Sequence, residues 1–250
     1  MLHCVSIGDC SAWTEADYKA LGSLPNVTSL SFGVGFTESS LPLLRGLTDL
    51  EAFGTNGMQV TDEGVKAFTQ FPKLKRLTFF HPPRVFTGVT LSHLAVLKQL
   101  EDLSIGGTII GDDALAAISK IKTLKRLRIW HARNTNEGVK RLQDLPVLES
   151  LMLGQSGVQA PPACPDDETV ALLLQMKSLK SLVLMEARFG YDSLVRLKQL
   201  PDLGTLSLLG VDIPEADVER LKKYMPKVRV SQTKPSDIEM KRIQALFGKK

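Results

Sequence analysis

The histidines are the residues of this chain best suited to metal binding or acid–base chemistry. Two of them, His81 and His131, occupy matching positions of a repeated pattern with one copy between them. If each copy forms a strand, their backbones lie about 10 Å apart, since neighbouring strands are about 4.8 Å apart. Two nitrogens that share a zinc ion each approach it to about 2.0–2.1 Å, and the pattern offers no third ligand nearby. We therefore expect no metal site from the four histidines, His3, His81, His93 and His131.

Sequence motifs that support catalysis or phosphate binding are missing. The chain has no G-x-S-x-G nucleophile turn, no phosphate-binding loop and no H-E-x-x-H helix. The pair Gly106-Gly107 fits a turn and is a weak signal for anything else. We expect a protein that is not an enzyme and needs no cofactor.

Cations and aromatic rings occur together in the middle of the chain, a combination that also suits stacking of single-stranded bases. An acidic residue, Asp102, lies between two of the arginines at the same position of the pattern, and Glu186 follows further along. The surface is therefore not a positive stripe, and a protein or peptide is a better partner than nucleic acid. The residues concerned are Arg76, Arg126, Arg128, Phe80 and Trp130.

The pattern that positions these residues is a repeat of the phrase L-x-x-L-x-L. The commonest spacing between copies is 24 residues, and the extremes are 22 and 31 residues. A fixed period of this length is typical of solenoids. The ten copies begin at Leu2, Val27, Leu50, Leu74, Leu100, Leu124, Leu148, Leu179, Leu203 and Met225.

Each copy predicts a strand followed by a helix. Apolar and polar residues alternate within the phrase, as in a half-buried strand. About ten residues later, apolar residues recur at every third position, which predicts one face of a short helix. Because 24 residues cannot bury their own apolar face, neighbouring units must stack. The expected helix N-caps are Asp62, Asp112 and Asn136.

The phrases LEDLSI, LKRLRI and LKSLVL, with turns such as VTDEGV and IGDDAL, resemble leucine-rich repeats of the 24-residue bacterial type with T-D-x-G-L-like turns. The usual asparagine after the strand is replaced by Met58, Thr108, Ala132, Ser156, Ala187 and Val211. The resemblance implies an α/β fold, a right-handed solenoid or horseshoe of about ten strand-turn-helix units over residues 1–230. It also implies a concave parallel sheet, convex helices and a role in binding other macromolecules.

The third, fifth and seventh positions of each phrase are predicted to face away from the core, on the concave wall. Large side chains cluster there in units four to eight. We expect Phe80-His81 and Trp130-His131 to flank a shallow slot floored by Gly106-Gly107. The candidate partner-binding residues are Arg76, Phe80, His81, Asp102, Arg126, Arg128, Trp130, His131 and Met152.

Two proline-rich insertions, at residues 81–86 and 157–165, fall beside this candidate site. Lengthened loops on one rim of a repeat array commonly lie at the binding face. The same loops could instead cover Phe80 and Trp130 and form a small secondary core. The sequence leaves both interpretations open.

The second positions of the phrase alternate in charge from unit to unit. Adjacent strands bring these charges close together, so each is expected to have opposite neighbours. Exposed pairs of this kind contribute about 0–1 kcal/mol each, and a structural role is the better interpretation. The residues are Glu51, Lys75, Glu101, Lys125, Glu149 and Lys180.

The C-terminal segment, residues 231–250, is expected to be a capping helix or a basic tail. Met240, Ile243 and Phe247 share one helical face, with Ser236 or Asp237 as the N-cap. As a cap, the helix would lie over the open end of the last unit. As a tail, it would offer its charge to an acidic partner, since residues 220–250 carry 10 basic and 2 acidic side chains.

The N-terminus lacks a signal-peptide pattern, and no apolar run reaches the roughly 20 residues that span a bilayer. Three cysteines are too few for a disulfide framework, which favours a reducing compartment such as the cytoplasm.

We expect a monomer, unless the N-terminal end, which lacks a polar capping unit, pairs with another chain. A structural or regulatory module of a larger polypeptide, or an effector or ubiquitin-ligase-type substrate receptor, is the alternative to a binding scaffold.

Overall fold

The computed structural model describes residues 3–57, 60–81, 85–107, 110–155 and 164–248. Ten parallel strands form one sheet in chain order, each pairing with the next. The strands are β1 Cys4–Asp9, β2 Ser29–Val34, β3 Ala52–Asn56, β4 Arg76–Phe80, β5 Asp102–Gly106, β6 Arg126–Ala132, β7 Ser150–Gln155, β8 Ser181–Met185, β9 Thr205–Leu209 and β10 Arg229–Thr233.

Helical segments connect successive strands and form a second layer. The α-helices are α1 Glu15–Gly22, α2 Asp112–Ile118, α3 Asn136–Arg141, α4 Asp167–Leu173, α5 Tyr191–Leu194, α6 Glu215–Tyr224 and α7 Asp237–Phe247. The 3₁₀ helices are Glu38–Leu44, Gly64–Gln70, Val89–Val96, Leu142–Asp144 and Val195–Gln199. This arrangement confirms the predicted α/β solenoid with a parallel sheet on one side and helices on the other.

In units two to four, the predicted short helix is a 3₁₀ helix. Their apolar residues are three apart, as in Val65, Phe68 and Phe71, all fully buried. A 3₁₀ helix has three residues per turn, so this spacing places every third side chain on the core side. The spacing of three residues therefore fits a 3₁₀ helix at least as well as an α-helix.

The core lies between the two layers and is continuous along the array. The strand leucines that face it, such as Leu77, Leu103 and Leu127, have no exposed surface. In units two to four, phenylalanine takes over part of this role. Ring contacts run through these units as a chain of Phe32, Phe36, Phe53, Phe68, Phe79 and Phe86.

Each of the three predicted N-caps is wrong by one position. Gly111 is the N-cap of α2 and Thr135 the N-cap of α3, while Glu63 precedes the 3₁₀ helix at Gly64–Gln70. The acidic side chains bond forward to the next unit instead. Asp112 accepts hydrogen bonds from the backbone N–H and hydroxyl of Thr135, both at 2.7 Å.

The same interlock recurs at other unit boundaries. A carboxylate near the start of the helix satisfies backbone N–H groups or hydroxyls at the equivalent turn one unit later, so these bonds tie repeats together. The pairs are Glu38 with Thr61, Asp62 with Thr87 and Gly88, and Asp167 with Gly190 and Ser193.

The tenth phrase begins two residues later than predicted. Arg229 pairs with Thr205 of β9, so the phrase starts at Lys227 and not at Met225. Val230 and Gln232 then take the inward positions, and the Gln232 side-chain amide donates to the Ile213 carbonyl at 3.2 Å. Met225 is buried at the end of α6 instead. The correction restores the 24-residue spacing to the last unit.

The N-cap of helix α7 is Ser236, whose hydroxyl accepts from the Glu239 backbone N–H in a capping box. It contacts the turns after β8 and β9. Arg188 donates to the carbonyls of Phe247 and Gly248 at 3.2 and 2.7 Å, and Glu239 lies beside Gly210. The helix thus runs back along the carboxyl edge of the sheet, instead of lying over the open end of the last unit.

Within the described ranges, no helix is long and apolar enough to cross a membrane.

Candidate functional site

The outer side chains of the strands form the concave wall, as the alternation predicts. In β4 and β6, the third, fifth and seventh positions are at least partly exposed while the residues between them are buried. Strand register places equivalent positions side by side, so Arg76 neighbours Asp102 and Phe80 neighbours Gly106. Side chains at the same phrase position in successive units therefore form a row across the sheet, perpendicular to the strands.

The seventh-position row carries an apolar ridge. Phe80 and Trp130 are in direct contact, with ring centroids 5.1 Å apart and ring planes at 58°. They meet across Gly106, where an added Cβ would lie only 2.2 Å from the indole. The expected open slot is therefore wrong, because the Trp130 ring occupies the space above the glycine. Both rings stay partly exposed.

The ridge extends beyond the residues predicted from sequence. An added Cβ at Gly154 would lie 3.0 Å from side-chain atoms of both Trp130 and Met185. Leu209 pairs with Met185 in register, and both are partly exposed, as is Met152 at a fifth position. Glycine thus alternates with large residues in the middle of this row. Met185 and Leu209 could have been found by reading the seventh position through to unit nine. We call Phe80, Trp130, Met185 and Leu209 the apolar ridge.

A bulge sets the position of Trp130 and His131 at the end of β6. Pairing with β7 runs regularly to Ile129–Leu153 and then shifts, resuming at Ala132–Gln155. His131 has a left-handed backbone, with φ of 59°. Bulges commonly redirect side chains at functional positions.

The residue at the eighth position of the phrase, directly after the seventh-position row, has a left-handed backbone conformation in most units. Gly57, Gly107 and Gly210 adopt positive φ there at little cost. His81, His131 and Glu186 do so as well, with φ between 46° and 59°. A side chain in this conformation costs about 1–2 kcal/mol, so the turn geometry is imposed by the stacked neighbours.

The two histidines turn to different partners. The His81 Nδ1 atom lies 2.9 Å from the Asn56 side-chain oxygen, and its ring covers Gly107. His131 Nε2 lies 3.5 Å from Glu186 Oε1. Among the described residues, no group of three or more histidine, cysteine or acidic side chains is arranged to hold a metal ion.

Glu186 connects the wall to α7. Its side chain is 9% exposed, and Arg242 of α7 approaches its Oε2 atom to 3.7 Å. Within the described part of the chain, Oε2 has no hydrogen-bond partner. The Met185-Glu186 turn is therefore where the candidate site meets the C-terminal helix.

The arginines of the wall gather on one buried carboxylate. Asp102 accepts from Arg126 Nε at 2.8 Å and from Arg128 Nη1 at 3.2 Å. The hydrogen bond that Arg126 donates to Asp102 raises the pKa of Arg126 above its usual value. Arg76, although in register with Asp102, forms no hydrogen bond or ion pair with the described residues and is exposed. The structure thus joins Arg126, Arg128 and Asp102, which we call the Asp102 cluster, and leaves Arg76 apart.

The alternating charges form pairs and not a continuous ladder. Lys75 bonds Glu51, Lys125 bonds Glu101 and Lys180 bonds Glu149, at 2.7 to 2.9 Å. All six side chains are 38–54% exposed, so each pair contributes little to stability.

The proline-rich insertions are described only in part. Phe86, at the end of the first, is fully buried against Phe79 and belongs to the main core. Cys164, in the second, is buried beside Asn134. Residues 82–84 and 156–163 lie outside the described residues, as do Met58, Thr108 and Ser156.

Comparison with solved structures agrees with this architecture. The crystal structure of an internalin (inlF) from Listeria monocytogenes is similar over 93% of this chain and 72% of the internalin, with a TM-score of 0.54 and 18% sequence identity. At this identity the likeness shows the fold alone. The chain is a leucine-rich-repeat solenoid of the α/β horseshoe class. Neither protein-family profiles nor curated proteins give a match to its sequence.

Proposed function

We propose that this protein is a non-enzymatic scaffold that recognises a protein or peptide through the concave face of its sheet. The observation that carries the proposal is the apolar ridge, a row of large apolar side chains left partly exposed on the outer face of the sheet, beside the arginines of β4 and β6. Partly exposed aromatic residues beside arginines are what binding hot spots use. The ridge spans β4 to β9, about 24 Å at the usual strand spacing.

The proposed site is centred on Phe80, Trp130 and Met152 and includes the polar residues beside them. His81 and His131 extend it at the carboxyl edge, and the Asp102 cluster extends it toward the amino edge. The part of the second insertion that would show whether Trp130 is covered lies outside the described residues. The partial exposure of both rings supports an accessible ridge.

We further propose that the repeats are of the 24-residue bacterial type with T-D-x-G-L-like turns. Support comes from the strand register, which brings the last unit to the same spacing, and from the carboxylate bonds that use the Thr and Asp of this turn. Residues 1–230 would then be the solenoid, and residues 231–250 a C-terminal segment docked on it.

The test is capture from a lysate of the source organism, followed by titration of the purified partner against variants. Trp130→Ala should abolish capture, because a hot-spot aromatic contributes 2 kcal/mol or more to binding. Tyr224→Ala is the matched control, since Tyr224 is a 56% exposed aromatic residue on α6. Trp13 is a poorer control because it packs against Tyr18 and Phe32.

Circular dichroism should show that both variants are folded. A partner that binds wild type, Trp130→Ala and Tyr224→Ala equally would place the interaction elsewhere and refute the concave-face proposal.

A further inference from the structure

The Asp102 cluster has a charge imbalance that the fold does not need. One buried carboxylate bonds two guanidinium groups, and the exposed Arg76 lies on the neighbouring strand. The cluster therefore holds two arginines and one aspartate, and Arg76 beside it adds a third positive charge. A pair that served only to stabilise the sheet would be balanced, as are the Lys–Glu pairs of the second positions.

The free donors of the cluster point to an anionic ligand. A guanidinium carries five N–H donors. Among the described residues, Arg126 uses only Nε, toward Asp102, and Arg128 uses only Nη1, toward Asp102 and Ser104. Both side chains remain 41% exposed. Asp102 thus holds the two groups in place while other N–H donors on each stay free for a carboxylate.

The cluster also lies beside the apolar ridge. Arg126, Arg128 and Trp130 occupy alternate positions of β6 and share its outer face. Alternate residues of a strand are about 7 Å apart, so the Arg128 and Trp130 backbone positions have that spacing. An extended peptide has the same spacing between side chains two residues apart.

We infer that Arg76, Arg126 and Arg128 form a carboxylate-recognition subsite of the concave face, and that the partner is an acidic protein segment. In that segment, an Asp or Glu lies two residues from an apolar side chain that contacts Trp130. This inference rests on the proposed function and names the chemistry of the partner. Buried Asp102 is a positioning residue for the subsite.

The test uses a display library of random linear 12-residue peptides, selected on the full chain. Enriched peptides should share an acid-x-apolar pattern. Arg128→Glu should weaken such a peptide by about tenfold or more, the loss expected for a charge-assisted hydrogen bond. Arg141→Glu, an exposed arginine on α3, should leave affinity unchanged. Replacing the peptide acid by Lys should restore binding to Arg128→Glu.

Arg76→Glu provides a second variant that breaks no side-chain hydrogen bond or ion pair among the described residues, in case Arg128→Glu misfolds. Arg76→Glu should weaken binding of the same acidic peptides and leave the affinity for neutral peptides unchanged. A single-stranded oligothymidylate serves as the competing probe. Tighter binding of the oligonucleotide than of the selected peptides would overturn the inference in favour of a phosphate-binding surface.

The outcomes separate this inference from the proposed function. Peptides that are neutral or basic, lose binding with Trp130→Ala and ignore both arginine variants would overturn the subsite and leave the scaffold proposal standing. No enrichment of any peptide, or enrichment indifferent to Trp130→Ala, would overturn both.

Discussion

The Asp112 carboxylate holds the turn of the following repeat by accepting from both the backbone N–H and the hydroxyl of Thr135. The bonds connect residues 23 positions apart, at the start of two successive helices. Leucine packing is non-directional, whereas these bonds require one alignment of neighbouring units. They therefore fix the register of the stack at the helical side, as strand pairing does at the other.

Asp112→Ala should lower the free energy of unfolding by about 1–3 kcal/mol, because it leaves a partly buried N–H and hydroxyl unpaired. Guanidinium denaturation followed by circular dichroism measures this. The control is Asp144→Ala, an exposed aspartate for which about 0.5 kcal/mol or less is expected. Equal losses in the two variants would mean that the interlock adds nothing to stability.

The Asp102 cluster gives a second stability prediction. Asp102→Ala removes the shared acceptor of Arg126 and Arg128, and we expect a loss of about 1.5–3 kcal/mol, as for hydrogen bonds to charged groups. Lys75→Ala breaks an ion pair whose partners are 40% and 38% exposed, so it should cost about 0–1 kcal/mol. The same denaturation assay compares them, and a reversed order would contradict the assigned burial.

The repeat phrase predicted the strands well because the position in the phrase alone decides which side chains are buried. Leu103 and Leu127, at the fourth position, face the core in every unit that continues the sheet. The contact between Phe80 and Trp130 over Gly106 was not predictable in the same way. Gly106 suggested open space, but a missing side chain on one strand is filled by a large one from the next, and spacing does not reveal which way Trp130 turns. The forward bonds of Asp62 and Asp112 were missed because an aspartate before a helix fits a local cap equally well.

Helix α7 supplies a third prediction. Ile243 is fully buried, while Ile238 on the same helix is 64% exposed. Ile243→Asp should detach the helix and lower stability, with about 1.5–3 kcal/mol as an upper estimate for the lost burial, whereas Ile238→Asp should have little effect. Hydrogen exchange of α7 amides measures detachment directly.

Truncation after Thr233 should have the same effect on stability as Ile243→Asp. Because α7 lies along the carboxyl edge, its removal should not cause self-association, as measured by sedimentation at increasing protein concentration. Concentration-dependent association of the truncated chain would instead indicate that the helix shields the open end of the array.

The thiols should differ in reactivity. Burial raises the pKa of Cys164 to about 12, so this group stays protonated, and therefore unreactive, at pH 8. Cys10 is also buried, and Cys4 is exposed. Iodoacetamide at pH 8 should therefore label Cys4 in the folded protein and all three cysteines after unfolding, as read by peptide mass spectrometry. Rapid labelling of Cys164 in the folded state would contradict its burial.

The last prediction concerns the space above Gly106. An alanine there would place its Cβ 2.2 Å from the Trp130 indole, so the ring must move away from Phe80 toward solvent. In a Trp13→Phe background, Trp130 is the sole tryptophan, and Gly106→Ala should red-shift its emission and increase quenching by iodide. Overpacking of this kind costs about 1–3 kcal/mol of stability. Gly54→Ala is the matched control, because its added Cβ would meet atoms no closer than 3.9 Å on the same wall. Unchanged emission from Gly106→Ala would show that the indole does not lie over the glycine. It would contradict the contact between Phe80 and Trp130 on which the apolar ridge rests.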